Sequence, residues 1–450
     1  MITLPKQIQD FIDIFEKAGF EIFVVGGAVR DLLLEKEVKD WDFATNATPE
    51  EIQKLFPESF YDNNFGTVGI IIEGQLFEVT PYRKEGKYSD TRHPDQIGWA
   101  KTIEEDLARR DFTVNAIALN KTLLDPYHGQ EDLQNKTIRC VGDPSDRFNE
   151  DALRMMRAVR IATQLGFVIE EKTFLAIQEN AALITKVSQE RIRDELIKIL
   201  SSDYPADGVH LLHNANLLGL ILPELTAEIG VTQQGTHHLD DVYEHSLKAL
   251  FTCQNKNWVI RFATLLHDVG KPITFKIRGN KATFYAHETV GANIARRIAN
   301  RLHLSKEDRE KLVTLVRWHM FSVSEFLTDA AVRRFIRRVG KENTTDMLDV
   351  RTADRLGSGV KPTSWRHEEF KERIIEVQKH IPSVNDLVID GEDIMRILNI
   401  KPGPQVGKIL AELFAEISEN PSKNTKDYLL ARLDKFSQTT KSGAALKIEE

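Results

Sequence analysis

The amino-acid sequence predicts an α+β protein, in which a head of mixed strands and short helices precedes a chain that is almost wholly helical. In the first 140 residues, "EIFVVGGAVRDLLL" has the pattern of a strand, a Gly-Gly turn and a helix, and "WDFAT", "TVGIII" and "LFEVTPYR" have the patterns of further strands. After Cys140 the apolar residues recur at helical spacing, as in "EDALRMMRAVRIATQLG", where we expect a helix that ends at Gly166.

The same patterns divide the chain into four predicted parts. The head spans residues 1–140, and a first helical region spans residues 141–231. A second helical block, which carries histidines, spans residues 232–357. The stretch "GSGVKPTS", from Gly357 to Ser364, has the composition of a linker, and a last helical block spans residues 365–437.

Composition indicates an ordinary globular protein, because 41% of the 450 residues are hydrophobic and 28% are charged. Cys140 and Cys253 stand far apart without a partner motif, which argues against a disulfide framework or a zinc ribbon. No apolar run reaches the length of a membrane span, and the N-terminal residues lack a signal-peptide core. We therefore expect a cytoplasmic protein with no membrane partner.

The net charge of −8 means that the chain as a whole will not attract a nucleic acid, so such a partner would need a local basic surface. Residues 331–341, "AVRRFIRRVGK", keep apolar residues at helical spacing while cations fill the remaining faces. A basic helix face is more often simply solvated, so this pattern alone does not establish a binding site.

The stretch "VKDWDFATN" places Asp40 and Asp42 on either side of Trp41 in a predicted strand. Their side chains are then expected on one face, about 7 Å apart, with Trp41 on the other face. Two like charges at that spacing repel each other unless a cation lies between them. Glu78 lies on a later strand that could pair beside the first, with Thr80 on the same face. A divalent-metal site and a solvated edge strand are both consistent with these residues.

Two further segments could hold phosphates. Gly26 and Gly27 lie between a predicted strand and a helix, where glycine permits a tight turn and close backbone approach to an anion. "DLARRDFTVNAIAL" brings Arg109, Arg110 and Asp111 together, either as a surface ion pair or as a triphosphate clamp with the acid addressing a sugar hydroxyl. An anion cradle beside metal-binding carboxylates is what nucleotidyl transfer requires.

Six motifs, "GGAVRD", "DWDFAT", "EVTPYR", "RRDFTVNA", "EDALRMMRAVR" and "SQERIRDEL", follow one another at the spacing of a known family. By these motifs, which span about the first 200 residues, the chain resembles the class II tRNA nucleotidyltransferases and bacterial poly(A) polymerases. The resemblance implies a polymerase-β-like nucleotidyltransferase head that holds Mg²⁺, followed by an all-α neck that reads the base and binds RNA. It also implies tRNA, CTP and ATP as partners, whereas nothing in the sequence indicates the oligomeric state.

The resemblance implies a role for each matching residue. Asp40 and Asp42 resemble the family's metal-binding aspartates, and Glu78 resembles the third carboxylate of the catalytic set. The residues that resemble the family's nucleotide-binding set are Gly26, Gly27, Arg30, Arg109, Arg110, Asp111, Asn115, Asp151, Arg154, Arg157 and Arg160. For Arg30 a purely structural ion pair with Asp31 is the alternative.

Asp151 and Arg154 resemble the pair that reads the incoming base. Three residues apart on a predicted helix, they would be neighbours on one face. A carboxylate accepts from the exocyclic amine of cytosine or adenine, and a guanidinium donates to the ring acceptors. Uracil and guanine present a carbonyl at that position, and the unpaired group would cost about 1–3 kcal/mol. An i,i+3 surface ion pair is the alternative interpretation.

The product is predicted from two segments. Residues 85–107 resemble the flexible loop of enzymes able to add the terminal A, which CC-only enzymes lack. Residues 61–72 lack the basic element that poly(A) polymerases of this class carry there. We therefore predict template-independent CCA addition. A-only addition is the runner-up, because the loop does not separate the two, and poly(A) synthesis is a further alternative.

The histidine block contains an ordered set that resembles the HD phosphohydrolase superfamily over roughly residues 240–355: His245, His267, Asp268, His287, His319 and Asp354. Imidazole and carboxylate ligands from several helices can hold one or two divalent ions. The resemblance implies an HD domain with a transition metal such as Ni²⁺ or Mn²⁺. That metal would support hydrolysis of a 2′,3′-cyclic phosphate or a phosphomonoester. An inert packing or RNA-binding module, and a chain that is chiefly a hydrolase, are the alternatives.

Overall fold

A computed structural model describes residues 4–62, 66–85, 97–233, 241–279, 281–321, 328–359, 365–379, 386–419 and 421–441. Three sequence predictions fall partly beyond these residues, the first being the segment 61–72, of which residues 63–65 lie outside the described ranges. The centre of the predicted loop, residues 86–96, lies outside the described part of the chain, and so do residues 360–364 of the predicted linker.

The head is built on a seven-stranded mixed sheet. Its elements are α1 (Lys6–Lys17), β1 (Ile22–Val25), α2 (Gly27–Leu33), β2 (Trp41–Thr45), α3 (Pro49–Leu55), β3 (Phe60–Asp62), β4 (Thr67–Ile72), β5 (Gln75–Pro81), β6 (Arg83–Glu85), β7 (Ile97–Trp99), α4 (Ile103–Ala108), β8 (Ala118–Leu119) and β9 (Leu123–Leu124). The strand order is β3-β4-β5-β2-β1-β8-β9, and β6 pairs separately with β7. All four strands predicted from the sequence are present.

Aromatic side chains bury one face of the central strands. Phe11 of α1 lies 4.8 Å from Phe43 of β2 and 4.9 Å from Phe77 of β5, measured between ring centroids. Phe77 and Val79 are fully buried, whereas Glu78 between them is exposed, as the predicted alternation requires. The packed face fixes the sheet, and the polar side chains project from the opposite face.

The predicted change to helical structure after Cys140 is confirmed. The elements that follow β9 are α5 (Gly129–Gln134), β10 (Thr137–Ile138), α6 (Pro144–Glu150), α7 (Leu153–Leu165), β11 (Val168–Ile169), α8 (Glu171–Asn180), α9 (Gln189–Leu200), α10 (Pro205–Asn214), α11 (Leu218–Ile221) and α12 (Pro223–Thr226). Gly166 caps α7 in the left-handed conformation, as expected.

The histidine block forms a helical bundle with one short hairpin. Its elements are α13 (Val242–Thr252), α14 (Trp258–Leu266), α15 (Lys271–Thr274), β12 (Lys276–Arg278), β13 (Lys281–Thr283), α16 (His287–Arg301), α17 (Lys306–Trp318), α18 (Asp329–Val339) and α19 (Thr344–Gly357). The basic segment predicted as a helix is α18, which buries Val332 and Ile336.

The last helices are α20 (Trp365–Lys379), α21 (Gly391–Leu398), α22 (Pro404–Glu419) and α23 (Lys426–Lys441). Phe370 and Ile374 of α20 share a core with Val332 and Ile336 of α18, so α20 packs on the histidine block across the predicted linker. The four predicted domain boundaries themselves stay predictions. Among the described residues, no helix combines the length and the apolar character that crossing a bilayer would require.

Candidate active site

Gly26 and Gly27 form the predicted turn between β1 and α2. Gly26 has a φ of 69°, in the left-handed region that favours glycine. A Cβ at Gly26 would lie 2.9 Å from Nη1 of Arg110 and 3.7 Å from Oδ2 of Asp42. The turn therefore needs glycine for its backbone conformation and for the close approach of Arg110.

Asp42 lies directly beside Glu78 in the parallel register of β2 and β5, so the predicted pairing of these strands is confirmed. Trp41 is buried on the opposite face, and Asp40 is exposed just before β2. Burial raises the pKa of Asp42 to about 6, and the charges of Glu78 and Asp40 add to this rise, although Arg110 opposes it. Asp42 is therefore a carboxylate whose charge needs a cation nearby.

The donor chemistry of the three carboxylates fits a divalent cation. Carboxylate oxygens are ligands that Mg²⁺ prefers, and a cation would relieve the repulsion between Asp42 and its acidic neighbours. The carboxylate oxygens of Asp40, Asp42 and Glu78 lie farther from one another than the ligating atoms of the histidine block do. Within the described residues, groups of three ligating atoms within 4.8 Å of one another occur only in that block.

A buried acid holds the two adjacent arginines. Asp106 accepts a bond from Nη2 of Arg109 at 2.8 Å and from Nη2 of Arg110 at 3.1 Å, and the backbone N–H of Arg83 donates to it at 3.2 Å. Burial alone would raise the pKa of Asp106, but the two arginines hold it below its usual value. Asp106 was not among the predicted site residues, although its spacing of three and four from the arginines was visible in "DLARRD".

Asp111 is saturated with hydrogen bonds. Oδ2 accepts from Nε and Nη2 of Arg157 at 2.8 and 2.5 Å, and Oδ1 accepts from the N–H of Phe112 and from Nδ2 of Asn115. Although burial opposes it, Arg157 holds the pKa of Asp111 well below its usual value. Arg30 donates to Oδ1 of Asn115 at 2.9 Å and also pairs with its neighbour in the chain. A ribose hydroxyl would have to displace one of these donors to reach Asp111.

Asp151 and Arg154 do not share a helix face, contrary to the prediction. α6 ends at Glu150, Asp151 is extended with a φ of −144°, and α7 begins at Leu153, whose N–H donates to Asp151. Arg191 of α9 donates two hydrogen bonds to Asp151, at 3.2 and 2.7 Å. Arg154 donates to Glu150 at 2.5 Å.

One cleft of about 470 Å³ nevertheless brings most of the predicted residues together. Those that line it are Gly26, Gly27, Asp42, Arg109, Arg110, Asp111, Asn115, Asp151, Arg154 and Arg157. Asp40, Glu78, Arg30 and Arg160 are not among the lining residues. Arg160 instead pairs with Glu195 of α9 at 2.5 Å, on the side of α7 that packs against that helix.

Besides the apolar Val25 and Phe43, three polar lining residues were not predicted: Thr80, Arg83 and Arg191. All three lie inside quoted motifs, "EVTPYR" and "SQERIRDEL". Thr80 also shares the face of Glu78 by strand alternation, so it could have been added on that ground. Arg191 could not, because its partner Asp151 is 40 residues away in the chain.

Five of the six predicted residues of the histidine block line a second cleft, and the sixth, His267, lies 3.1 Å from His245, measured between the Nε2 atoms. They form two overlapping groups: His245, His267 and Asp268, and Asp268, His287 and His319. Within each group the ligating atoms lie within 4.8 Å of one another. Oδ1 of Asp354 lies 3.2 Å from Nε2 of His245, so the sixth residue joins the first group. Asp268 is the shared member, as a bridging carboxylate between two ions would be.

Backbone carbonyls orient three of these rings. The Nδ1 atoms of His267, His287 and His319 lie 2.7, 2.8 and 2.8 Å from the carbonyl oxygens three residues earlier. A carbonyl oxygen can only accept, so in each neutral ring the proton is on Nδ1 and Nε2 carries the free lone pair. The Nε2 atoms point at one another and at Asp268, which is the arrangement that metal ligation needs.

Burial and neighbouring charges set the protonation of this cluster differently at each residue. Burial, with the charge of His267, lowers the pKa of His319 to about 3. Burial opposes ionisation of Asp268 too, but His267 and Lys271 hold its pKa well below the usual value. Against burial, Asp268 and Asp354 raise the pKa of His267 to about 10. Carboxylates that draw a proton onto a buried imidazole will also attract a divalent cation.

Three family models match the chain. A poly(A) polymerase head domain matches residues 22–139, and a model described as the probable RNA and SrmB-binding site of polymerase A matches residues 166–229. A putative tRNA nucleotidyltransferase domain 2 matches residues 282–433. Together they reach from the first strand of the head to the last helix.

Similar proteins extend over almost the whole chain. The chain is 33% identical over 434 residues to the CCA-adding enzyme of Streptococcus mutans, covering 95% of this chain and 97% of that protein. The chain belongs to the CCA-adding tRNA nucleotidyltransferase family. It is also 34% identical over 410 residues to the A-adding tRNA nucleotidyltransferase of Deinococcus radiodurans, covering 87% and 90% of the two chains. The crystal structure of the Bacillus stearothermophilus CCA-adding enzyme in complex with CTP matches with a TM-score of 0.71 at 26% identity, covering 98% and 100%.

Membership of the tRNA nucleotidyltransferase family confirms the resemblance drawn from the six motifs, and with it the α+β fold and the enzyme class. It also implies dependence on a divalent metal, in keeping with the carboxylates beside the cleft. The roles of individual residues, and a metal in the histidine block, stay predictions.

Proposed function

We propose that this chain adds CCA to the 3′ ends of tRNAs, using CTP and ATP and no nucleic-acid template. The observation that carries the proposal is one cleft that combines Asp42 with the arginines held by Asp106 and with the pair Asp151 and Arg154. The names of the relatives support it, because the Streptococcus mutans protein is a CCA-adding enzyme and the Bacillus enzyme is in complex with CTP. A tRNA substrate places the proposed activity in the cytoplasm.

We propose Asp40, Asp42 and Glu78 as the carboxylates that would hold Mg²⁺. A metal held there would supply positive charge against the nucleotide phosphates and the departing pyrophosphate. The chain itself positions the reactants. Arg109 and Arg110 are preset by Asp106 to meet a triphosphate, so little side-chain entropy is lost when it binds.

In this proposal the base is read from the junction between α6 and α7. Asp151 would accept from the exocyclic amine of cytosine or adenine, and Arg154 would donate to the ring acceptors. Two bonds from Arg191 hold Asp151, and a bond to Glu150 holds Arg154, so each side chain faces the cleft in one orientation. Asp151 and Arg154 are not neighbours on one helix face, but both side chains line the same cleft, so both can contact one base.

The decisive experiment offers purified protein, CTP and ATP to tRNA transcripts that end at the discriminator base, at CC and at CCA. Full CCA addition predicts extension of the first two substrates to CCA and no extension of the third. Extension of the CC substrate alone would establish A-only addition, which the similarity to the Deinococcus radiodurans enzyme keeps in view. Long adenylate tails would establish poly(A) synthesis.

The carboxylate assignment has its own test, the double substitution Asp40→Asn and Asp42→Asn. We expect loss of both CMP and AMP incorporation, because the variant removes two anionic oxygen ligands while keeping side-chain size. Asp10→Asn, on the exposed face of α1, is the matched control for charge removal. Undiminished incorporation by the double variant would contradict the proposal.

We propose, second, that the histidine block is a metal-dependent phosphohydrolase site of the HD type, with a 2′,3′-cyclic phosphate or a phosphomonoester as substrate. Two groups of three ligating atoms that share Asp268 favour this function. The test compares wild type with the double variant His267→Ala and Asp268→Ala on a 2′,3′-cyclic nucleotide, with Ni²⁺, Mn²⁺ or Mg²⁺ added. Equal hydrolysis by both proteins would contradict it, and retained CCA addition by the variant would show that the head is intact.

A further inference from the structure

Exposed apolar residues occur within the segment that lines the second cleft and just before it in the chain. Ile273, Phe275 and Ile277, on and beside the hairpin β12–β13, are 66%, 37% and 70% exposed, and Tyr285 is 69% exposed. Across the cleft, Met320 is 55% exposed. Single exposed apolar residues need no explanation, but Tyr285 and Met320 are exposed and also line the cleft, where a ligand could cover them.

Phe284 and Tyr285 connect this surface directly to the candidate metal ligands. Both residues line the second cleft, whose volume is about 560 Å³, together with His287 and Asp268. The carbonyl oxygen of Phe284 accepts from the N–H of His287 at 3.2 Å and lies 2.8 Å from its Nδ1. The aromatic residues are therefore fixed one helical turn or less from a predicted ligand.

Cations accompany the aromatic rings. The ammonium of Lys271 lies 5.4 Å from the ring centroid of Phe284 and 2.5 Å from Oδ2 of Asp268. The guanidinium of Arg278 lies 5.3 Å from the ring centroid of Tyr285. Arg351 and Arg355 line the same cleft from α19.

The charge around the hairpin is one-sided. No acidic residue occurs between Val269 and Ala286, whereas the segment carries Lys271, Lys276, Arg278 and Lys281, in a chain whose net charge is −8. Aromatic rings interleaved with cations are the surface on which nucleic-acid bases stack while phosphates meet positive charge.

We propose that Phe284, Tyr285 and Arg278 form a stacking platform for the nucleobase of a nucleoside phosphate, whose phosphate group faces the histidine cluster. This inference rests on the phosphohydrolase proposed above only for the direction in which the phosphate points. The ligand can be a free mononucleotide or the 3′ end of an RNA, because both present one base and one terminal phosphate. With this platform, the second cleft would bind a nucleotide independently of the cleft in the head.

The test is equilibrium binding of uridine 3′-monophosphate to the full-length protein with Mn²⁺ present, with inorganic phosphate as a parallel ligand. Uridine lacks the amine that the head is proposed to read, so binding there should be weak. We expect Tyr285→Ala to raise the Kd for uridine 3′-monophosphate about tenfold, the scale of one base–aromatic stack, and to leave the Kd for phosphate unchanged. Tyr285→Phe, which keeps the ring, should bind like wild type.

Phe251→Ala is the matched control, because Phe251 of α13 is 71% exposed and does not line the cleft. The proposal is overturned if Tyr285→Ala binds uridine 3′-monophosphate like wild type, if wild type does not bind it, or if phosphate binding falls by the same factor. A changed oligomeric state of Tyr285→Ala with unchanged nucleotide binding would also overturn it, and would assign the surface to a second copy of the chain.

Two further measurements separate the sources and the functions. A uridine trinucleotide with a 3′-phosphate that binds more tightly than the mononucleotide, with a steeper salt dependence, would identify an RNA end. Equal affinity would identify a mononucleotide. If the hydrolysis test above fails while the Tyr285 effect on binding persists, only the hydrolase proposal fails. If hydrolysis occurs without any Tyr285 effect on binding, only the platform fails.

Discussion

Arg191 provides the sharpest test of base selection, because it touches the proposed base-reading residue and was not predicted to act. Its guanidinium donates two hydrogen bonds to Asp151, and the two side chains are 26% and 16% exposed. Hydrogen bonds to charged groups contribute about 1.5–3 kcal/mol each, and partial exposure reduces that amount. We take about 1–2 kcal/mol as the loss in Arg191→Ala, which corresponds to about 5- to 30-fold.

The loss should appear in discrimination rather than in general activity. Asp151 would keep its bond from the N–H of Leu153 but could rotate, so a uracil carbonyl would no longer meet a fixed carboxylate. We therefore expect the ratio of kcat/KM for CTP to that for UTP to fall about 5- to 30-fold, which single-nucleotide incorporation into tRNA measures. Arg191→Lys keeps the positive charge but cannot make both hydrogen bonds, so its ratio of kcat/KM for CTP to that for UTP should lie between those of wild type and Arg191→Ala.

Arg193→Ala is the matched control for this prediction. Arg193 lies on the same helix but pairs with Asp194 and donates to the carbonyl oxygen of His303, away from the cleft. It should leave the ratio unchanged. The reasoning is refuted if Arg191→Ala lowers kcat/KM for all four nucleotides by one common factor, because that result would indicate a structural disturbance rather than a positioning role.

Three other predictions test the head and the basic helix. Gly26→Ala should lower nucleotide addition, because its Cβ would displace the guanidinium of Arg110, and should cost about 1–2 kcal/mol in unfolding free energy. Gly74→Ala, with a φ of 82° and no neighbour within 4 Å, should carry a similar cost in urea unfolding and keep activity. Because burial raises the pKa of Asp42 to about 6, protons compete with the cation below that pH. The Mg²⁺ concentration for half-maximal activity should therefore be about tenfold higher at pH 5 than at pH 8, and a constant value would count against Asp42 as a ligand. Replacing the four arginines of residues 333–338 by glutamine should weaken tRNA binding and flatten its salt dependence without changing nucleotide choice; unchanged affinity and salt slope would remove α18 from the tRNA surface.

The strands of the head could be predicted because each of them carries its own local signal. Alternation in "LFEVTPYR" placed Phe77 and Val79 on one face and Glu78 on the other, as observed. The sequence indicated only that the two strands could pair, and the register that puts Glu78 beside Asp42 is a finding of the structure. The helix break at Asp151 could not be predicted in the same way. "EDALRMMRAVR" has good helix formers after Asp151, but Asp151 itself accepts from the N–H of Leu153, as a residue at a helix N-terminus does. Its second partner, Arg191 of α9, is 40 residues away and could not be predicted from the motif.

The residues that hold the site were harder to predict than the residues that line it. Asp106 has no signal as a site residue, since a single acid before two arginines is ordinary on a helix surface, and only its full burial gives it the power to fix both. The same holds for Glu195, which keeps Arg160 away from the cleft although Arg160 has the spacing of a nucleotide-binding residue. Motif spacing identifies which side chains are candidates for the site. Burial and partners decide which of them face the ligand.

Net charge was the least informative feature of the sequence, and the structure shows why. A chain with a charge of −8 holds two clefts that are lined by several cations, because the arginines and lysines of each cleft come from distant segments and buried or half-buried acids pair with some of them. Asp106, Asp111 and Asp151 each bind an arginine that lines the first cleft, and Asp268 binds Lys271 at the second. An acid used in this way lowers the total charge of the chain, yet it aims a cation at the place where a phosphate would bind. The electric field that a nucleotide meets in a cleft therefore depends on how these ion pairs are oriented. The net charge of the chain says almost nothing about that field.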